Sequence, residues 1–270
     1  MKPCVGAAIS RNKKPNHRWK EGRAMTEVLD RQAVFTFGYH WIADEEEAAE
    51  QIEFARRLLY LPVGSLVLMP FCGAGWHAHE LAMWGYQVVA IDPCPKLVRE
   101  ALERNHQIGV SVMFAVADLP LPFREASFDA AMILGTRFGL TGNERDDRRW
   151  LAELARVLKP NGRLVLELPH RDGVVRHWQE RTWERLPDDA ACLIVREWDA
   201  LTGRMLEEWT VIDAEGQTRR FAFTCRIYTP TELAMLLQTH GFEMTNAFGT
   251  FLGAELALHH RRMIIQAIRQ

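Results

Sequence analysis

Between Leu66 and Asp92 the chain reads as a buried strand, a glycine turn, a helix and a second strand that stops on a carboxylate. The residues are Leu66-Val-Leu-Met-Pro-Phe-Cys-Gly-Ala-Gly-Trp-His-Ala-His-Glu-Leu-Ala, then Val88-Val-Ala-Ile-Asp92. Few folds accept such a unit, because continuous apolar strands need cover on both faces and a helix to carry the chain back. It is a nucleoside-holding unit. Gly73 and Gly75 lack Cβ atoms, so backbone can come close to a ligand, and the helix from Trp76 offers unpaired N–H groups. Asp92, nineteen positions after Gly73, stands where a carboxylate accepts hydrogen bonds from a ribose diol. Gly73-x-Gly75-x-x-Ala78 also fits the dinucleotide fingerprint, so the spacing leaves two ligand classes open.

The alternation continues along the chain. Residues 46–60 carry Ala49, Ile52, Ala55, Leu58 and Leu59 at helical spacing, and Pro62-x-Gly64 stops that helix. After Asp92, Pro95 suits the first turn of a helix bearing Leu97, Val98, Ala101 and Leu102. A strand over 111–115 leads to Asp118, and Phe128–Leu134 is another buried strand closed by Gly135. Thr141-x-x-Glu144 is a capping box that opens a helix with Trp150, Leu151, Leu154, Val157 and Leu158. Lys159-Pro-Asn-Gly162 ends it, and Arg163–Leu168 is the fifth strand. Five alternations predict an α/β fold with a doubly wound, mostly parallel sheet. The pattern then changes. Residues 191–198, 206–213 and 219–228 read as an antiparallel meander joined by turn-like connections. A second capping box, Thr229-Pro-Thr-Glu232, starts a helix that ends at Gly241, and 242–248 with 261–268 return as an antiparallel edge pair.

Composition narrows the partners. With 48% apolar residues, 270 residues can bury a full core. Thirty-three basic against thirty-five acidic side chains leave a net charge of −2, so no overall pull toward nucleic acid or an anionic membrane is expected. No apolar run approaches the roughly 20 residues that span a bilayer. The five cysteines are scattered, with no C-x-x-C, which points to a reducing compartment and a cytoplasmic protein. His77 and His79 are two apart on a helix, and His259-His260 lacks a third ligand at useful spacing, so no metal site is expected.

Several stretches together resemble the class I S-adenosylmethionine-dependent methyltransferases. They begin with Leu59-x-Leu-Pro-x-Gly64, the Cys72-Gly-Ala-Gly75 turn, Trp76-His-Ala-x-Glu-Leu-Ala82, Gly85-Tyr86 and Asp92-x-x-Pro95. Asp118-Leu-Pro-Leu-Pro-Phe123, Phe128-Asp129, Phe138-Gly139 and Ala155-Arg-Val-Leu-Lys-Pro-Asn-Gly162 continue in order. Arg226-x-Tyr-Thr-Pro-x-Glu-Leu233, Gly241-Phe242 and Arg262-Met263 complete the series. A dehydrogenase accounts for the first of these alone. The likeness, from about residue 39 onward, is nearest to bacterial small-molecule methyltransferases with an antiparallel insertion before the last helix.

The resemblance implies a seven-stranded Rossmann-like sheet, S-adenosylmethionine as cofactor and methyl transfer to a small-molecule acceptor. It divides the chain into a basic, partly disordered arm (1–38), a cofactor-binding core (39–169), an insertion that lines or covers the acceptor pocket (170–228), and a closing helix with edge strands (229–270). It implies that Cys72, Gly73, Ala74 and Gly75 wrap the methionine portion and sugar, that Asp92 with Pro93 meets the ribose, and that Asp118 with Leu119 meets the adenine. Leu134 and Gly135 end the fourth strand, where sulfonium and acceptor meet, and Tyr39 lies in a segment that folds over the cofactor. His170, just past the fifth strand, is the candidate general base. Arg137, Arg171 and Arg226 lie near the same rim. Trp178, Trp183, Trp198 and Trp209 offer apolar surface for an aromatic or lipophilic acceptor, and the insertion's strands also offer a surface for a homodimer.

One departure stands out. Where the family usually reads Asp-Leu-Gly before the cysteine, this chain has Met69-Pro70-Phe71. Met69 cannot compensate the cofactor's cationic methionine end, and the Phe71 side chain has to point away from the ligand or intrude on it. The first reading is therefore a transferase that binds its cofactor in a weaker or shifted manner. The alternative is a methyltransferase-like binding or regulatory protein without turnover.

Overall fold

The computed structural model describes residues 45–135, 137–140, 144–186 and 189–270. The arm, Tyr39 and the cap residue Thr141 lie outside the described residues. The described residues open with helix α1 (Glu45–Leu59), strand β1 (Leu66–Pro70), helix α2 (Trp76–Met83), strand β2 (Gln87–Asp92) and helix α3 (Pro95–Ile108). Strands β3 (Val112–Val116) and β4 (Phe128–Ile133), helix α4 (Glu144–Val157) and strand β5 (Leu158–Pro169) follow. These five strands are parallel neighbours in the order β5-β4-β1-β2-β3. Two late strands, β10 (Phe242–Phe248) and β11 (Arg262–Arg269), extend the sheet antiparallel beyond β5 and bring it to seven.

The strands' apolar runs make sense once both faces are seen to be covered. Leu68, Val89, Ile91, Ala131 and Ile133 point to one face, where Trp150, Leu151 and Leu154 of α4 pack. Val67, Met69, Val88, Ala90 and Met132 point to the other, against Ile52 and Ala55 of α1 and Ala78 and Leu81 of α2. The alternation is the period of two that a pleated strand imposes. Helix α6 (Pro230–Gln238) closes the first face with Leu233, Leu236 and Leu237. Its capping box is formed, with Thr229 and Glu232 exchanging side-chain and backbone bonds.

The expected Lys159–Gly162 turn takes a different form. The strand begins at Leu158, directly after α4, and pairs Phe128 with Leu158 before jumping to Ala130 with Arg163. The turn is therefore a bulge inside β5, with Asn161 at φ 62°.

Inserted in sequence between β5 and β10 is a separate antiparallel sheet of four strands rather than three. They are β6 (Arg181–Arg185), β7 (Ala191–Asp199), β8 (Arg204–Ile212) and β9 (Thr218–Arg226), in that order. Strand β6 and the preceding short helix α5 (Arg171–Arg176) carry no apolar periodicity and escape a pattern reading. Helix α5 is held by packing. Gly173 lies so close to the His260 carbonyl that any Cβ there would overlap it.

Candidate active site

Among the described residues, those the resemblance assigns to the cofactor lie at the carboxyl ends of β1 to β4, the edge where ligands bind in such sheets. After β1 the backbone turns left-handed at Phe71 (φ 57°), Gly73 (φ 56°) and Gly75 (φ 88°). Gly75 is the N-cap of α2, and a Cβ on it would come 2.9 Å from the Phe114 ring. Arg104 of α3 holds the turn from behind, stacking 3.4 Å over Trp76 and donating to the Ala74 carbonyl at 2.5 Å.

Asp92 anchors the turn from the end of β2. One carboxylate oxygen accepts from the Gly73 N–H at 2.9 Å, the other from the Cys94 N–H at 2.8 Å. The residue is 5% exposed. Burial raises its pKa, the two N–H donors and Arg137 pull it down again, and Asp118 pushes it up. Each oxygen accepts one bond here and has a second lone-pair direction to offer. Asp118, at the end of β3, is exposed and accepts from the Leu119 N–H at 2.8 Å. The two carboxylates thus sense each other between the neighbouring ends of β2 and β3.

Phe71 packs toward helix α4. Its ring meets Trp150 of α4 with centroids 4.5 Å apart, and both Phe71 and Leu119 pack half-buried on the same core cluster. A phenylalanine at positive φ costs roughly 1–2 kcal/mol, offset here by that aromatic contact. Met69 is buried on the opposite face among α1 and α2 side chains. Arg137 is buried nearby, close enough to Cys72, His77 and Asp92 to shift all three. The Cys72 thiol is pushed well above its usual range by burial and by Asp92, so it stays protonated at neutral pH.

The two helix histidines face apart, as their spacing requires. His77 Nε2 lies 2.8 Å from Gln51 Oε1, and Gln51 donates in turn to Glu47 at 2.7 Å, tying α2 to α1. Because that Gln51 oxygen only accepts, His77 carries its proton on Nε2. His79 packs edge-on to Phe114, with neither ring nitrogen in a hydrogen bond of normal length. Burial first, then Arg137 for His77 and Arg104 for His79, lowers both to about 4. No group of three or more metal-ligating side chains occurs among the described residues.

At the end of β4, Leu134 is buried and Gly135 has φ 74°. The Gly135 N–H donates to Glu167 at 2.6 Å, and Arg262 of β11 stands 3.4 Å from the other Glu167 oxygen. Glu167 is 2% exposed and was missed from sequence. Its signal was there to find: a lone glutamate in Leu164-Val-Leu-Glu-Leu168 is a charge in a strand with no solvent face.

His170 is also buried, with Nδ1 donating to the His260 carbonyl at 2.8 Å and Nε2 3.9 Å from Asp172. Of the rim arginines, Arg226 is engaged internally. It donates to the Gly203 and Ile227 carbonyls, and its Nη2 lies 3.0 Å from Glu232. Arg171 meets the same Glu232 at 3.1 Å. The four tryptophans separate: Trp178 and Trp198 line cavities, Trp209 packs inside the meander, and Trp183 is 69% exposed.

Residues 70–166 match the family described as a methyltransferase domain, and the sheet order is the one typical of the class I methyltransferase fold. Glycine/sarcosine N-methyltransferases of Halorhodospira halochloris and Parasynechococcus marenigrum are 31% and 33% identical to this chain over 107 and 141 residues. These segments cover 39% and 51% of this chain, but only 40% and 49% of those proteins, so the chain spans under half the length of these relatives. A demethylmenaquinone methyltransferase of Tropheryma whipplei is 28% identical over 209 residues, 76% of this chain and 77% of that one. The fold is shared with the CcbJ methyltransferase from Streptomyces caelestis, at a TM-score of 0.73 and 17% identity over 87% of this chain and 96% of that one.

The cofactor of this methyltransferase family is S-adenosylmethionine. The residues present fit its adenosine half: a glycine turn that a Cβ would obstruct, and two carboxylates with acceptor directions to spare. At the methionine end the usual acid is absent and a buried arginine stands nearby.

Proposed function

We propose that the protein transfers the methyl group of S-adenosylmethionine to a small-molecule acceptor by in-line displacement. The observation that carries this reading is the succession of the Gly73–Gly75 turn, Asp92 and Asp118 along the neighbouring carboxyl ends of β1, β2 and β3, with β4 beside β1. In this reading Asp92 and Pro93 meet the ribose, Asp118 and Leu119 the adenine, and Cys72 to Gly75 with Tyr39 the methionine end. When bound, the cofactor supplies a methyl group already activated on a sulfonium. The protein's own work is then positioning, an effect that lowers barriers by up to about 7–11 kcal/mol in favourable systems. Leu134 and Gly135, braced by Glu167, shape the floor where the acceptor sits. A phenol or thiol acceptor also has to lose a proton, and His170 is the candidate base. Its Nδ1 is committed to a carbonyl, so the proton would be taken at Nε2.

The acceptor pocket is assigned to the face between β4, β5 and the antiparallel insertion, with an aromatic or lipophilic compound as its occupant. Calorimetric titration with S-adenosylmethionine, S-adenosylhomocysteine and NAD tests the reading. Binding of the first two alone, followed by methyl transfer to a member of an acceptor panel, is the expected result. Buried Met69 and the left-handed Phe71 favour one second reading, a protein that binds the cofactor and regulates without transferring. NAD binding in place of the other two would defeat both.

A further inference from the structure

Outside the glycine turn, two cavities meet along the outer side of α5, beyond the end of β5. The smaller, about 370 Å³, is lined by Arg176, His177, Trp178, Gln179 and Arg261. No carboxylate is among them. Neither an ion pair nor a side-chain hydrogen bond engages Arg176, His177 or Arg261 among the described residues. Three potential cations therefore converge on one small space in a chain whose net charge is −2. Arg176 is shared with the larger cavity, about 460 Å³, whose walls include Trp198, Val175, Leu258 and Arg171. There the charge is already balanced, since Arg171 lies 3.7 Å from Asp172 and 3.1 Å from Glu232. The two cavities thus differ: Arg176 and Arg261 with no carboxylate at one end, and at the other the balanced Arg171–Asp172 pair beside the apolar and aromatic walls of Val175, Trp198, Ala200 and Leu258. Trp178 and Trp198 stand between them with ring centroids 6.3 Å apart.

The frame beneath the groove is rigid. Gly173 is packed against the His260 carbonyl, the Val174 N–H donates to the His170 carbonyl at 2.9 Å, and the His170 N–H donates to the Arg261 carbonyl at 3.0 Å. Arg176 and Arg261 are therefore presented from backbone fixed on both sides of the groove. Guanidinium forks match phosphate oxygens in pairs.

We propose that this groove is a binding site for a phosphate-bearing ring compound of the kind a nucleoside diphosphate presents. The phosphates lie between Arg176 and Arg261 beside His177, and the ring lies on Trp198 and Val175. The site is distinct from the glycine turn, and its occupation does not depend on methyl transfer.

The test is calorimetry on the full chain with S-adenosylhomocysteine at saturation, so that the glycine turn is closed to the probe. Uridine diphosphate, inorganic pyrophosphate and uridine are the probes. Uridine diphosphate is expected to bind with a sub-millimolar Kd that weakens as salt rises. Arg176→Ala and Arg261→Ala each weaken it by about tenfold or more, equivalent to about 1.4 kcal/mol. Trp198→Ala weakens uridine diphosphate but leaves pyrophosphate unchanged. Titration of each variant with S-adenosylhomocysteine alone is the control, and unchanged affinity there shows that the fold and the first site are intact. Absence of heat with both phosphates at millimolar concentration overturns the proposal. So does equal affinity for uridine and uridine diphosphate, or full binding by the Arg176→Ala/Arg261→Ala double variant.

Discussion

The seven-stranded sheet and the four-stranded meander solve the problem of a buried charge in opposite ways. In the large sheet, Asp92 and Glu167 are bound to main-chain N–H groups of turns: Gly73 and Cys94 for the first, Gly135 for the second. At Glu207 in the meander, the buried charge is bound to side chains instead. Arg196 reaches Glu207 at 2.5 Å and Thr182 at 2.9 Å, while the Trp209 indole donates to Glu207 at 2.8 Å. The first arrangement shapes a loop that a ligand can approach. The second fixes which strand lies beside which, and leaves little of its polar capacity for a ligand. The proposed function is accordingly placed where carboxylates hold backbone.

That contrast can be broken experimentally, and the largest effect is expected in the meander. Glu207→Ala leaves Arg196 without its main partner in a nearly closed site and is expected to destabilise the fold by about 3–5 kcal/mol. Urea denaturation reads that loss, while S-adenosylhomocysteine affinity at low temperature should stay as it was. A large fall in affinity would mean that the two sheets are energetically one.

Acid should act on the large sheet instead. His77 and His79 have folded pKa values of about 4 against about 6.5 unfolded. The unfolded chain therefore binds protons first, so stability is complete above pH 6.5 and drains away as pH falls from 6.5 to about 4. The loss is on the order of 3 kcal/mol for each histidine. His79→Phe should flatten the profile measured by denaturation at pH 7.5, 6 and 5, and an unchanged slope would remove His79 from the account.

Asp92→Asn keeps the shape but exchanges one acceptor oxygen for a donor that opposes an N–H. S-adenosylhomocysteine binding should weaken about 100-fold, close to 2.7 kcal/mol, whereas Asp118→Asn, at an exposed position, should cost less. Equal losses would contradict the division between a buried anchor and an exposed contact. Thr229→Ala removes one half of the capping box on α6 and should lower stability by about 1 kcal/mol without changing cofactor affinity. Smallest of all, Met69→Asp should tighten S-adenosylmethionine binding by a few-fold if the missing acid weakens it. Unchanged affinity would show that the methionine end is held in another way.

The glycine turn, both carboxylates and the antiparallel closing strands were legible in the chain because each rests on residues close together in sequence. Gly73 and Asp92 belong to one strand-turn-helix-strand unit, and the Thr229–Glu232 cap is complete within four positions. Helix α5 and strand β6 were not legible. Their residues are polar, and they are held by Gly173 against His260 and by pairing with β7, contacts that no local pattern announces. The Glu167 brace on Gly135 spans 32 positions, and the Arg226 clamp on Gly203 spans 23. The direction of Phe71 was open in the same way. A side chain at a left-handed position has two courses, and only Trp150 on a helix far along the chain selects one.

By itself the sequence determined the period of its elements and the chemistry at the strand ends, since apolar spacing and turn residues act over a few positions. The tertiary structure alone decided which charges are spent and which remain. Arg171 and Arg226 meet at Glu232, while Arg176 and Arg261 face an open groove. An arginine's availability depends on the carboxylate that folding brings within about 4 Å of it, and that distance is a property of the packed chain, not of its order.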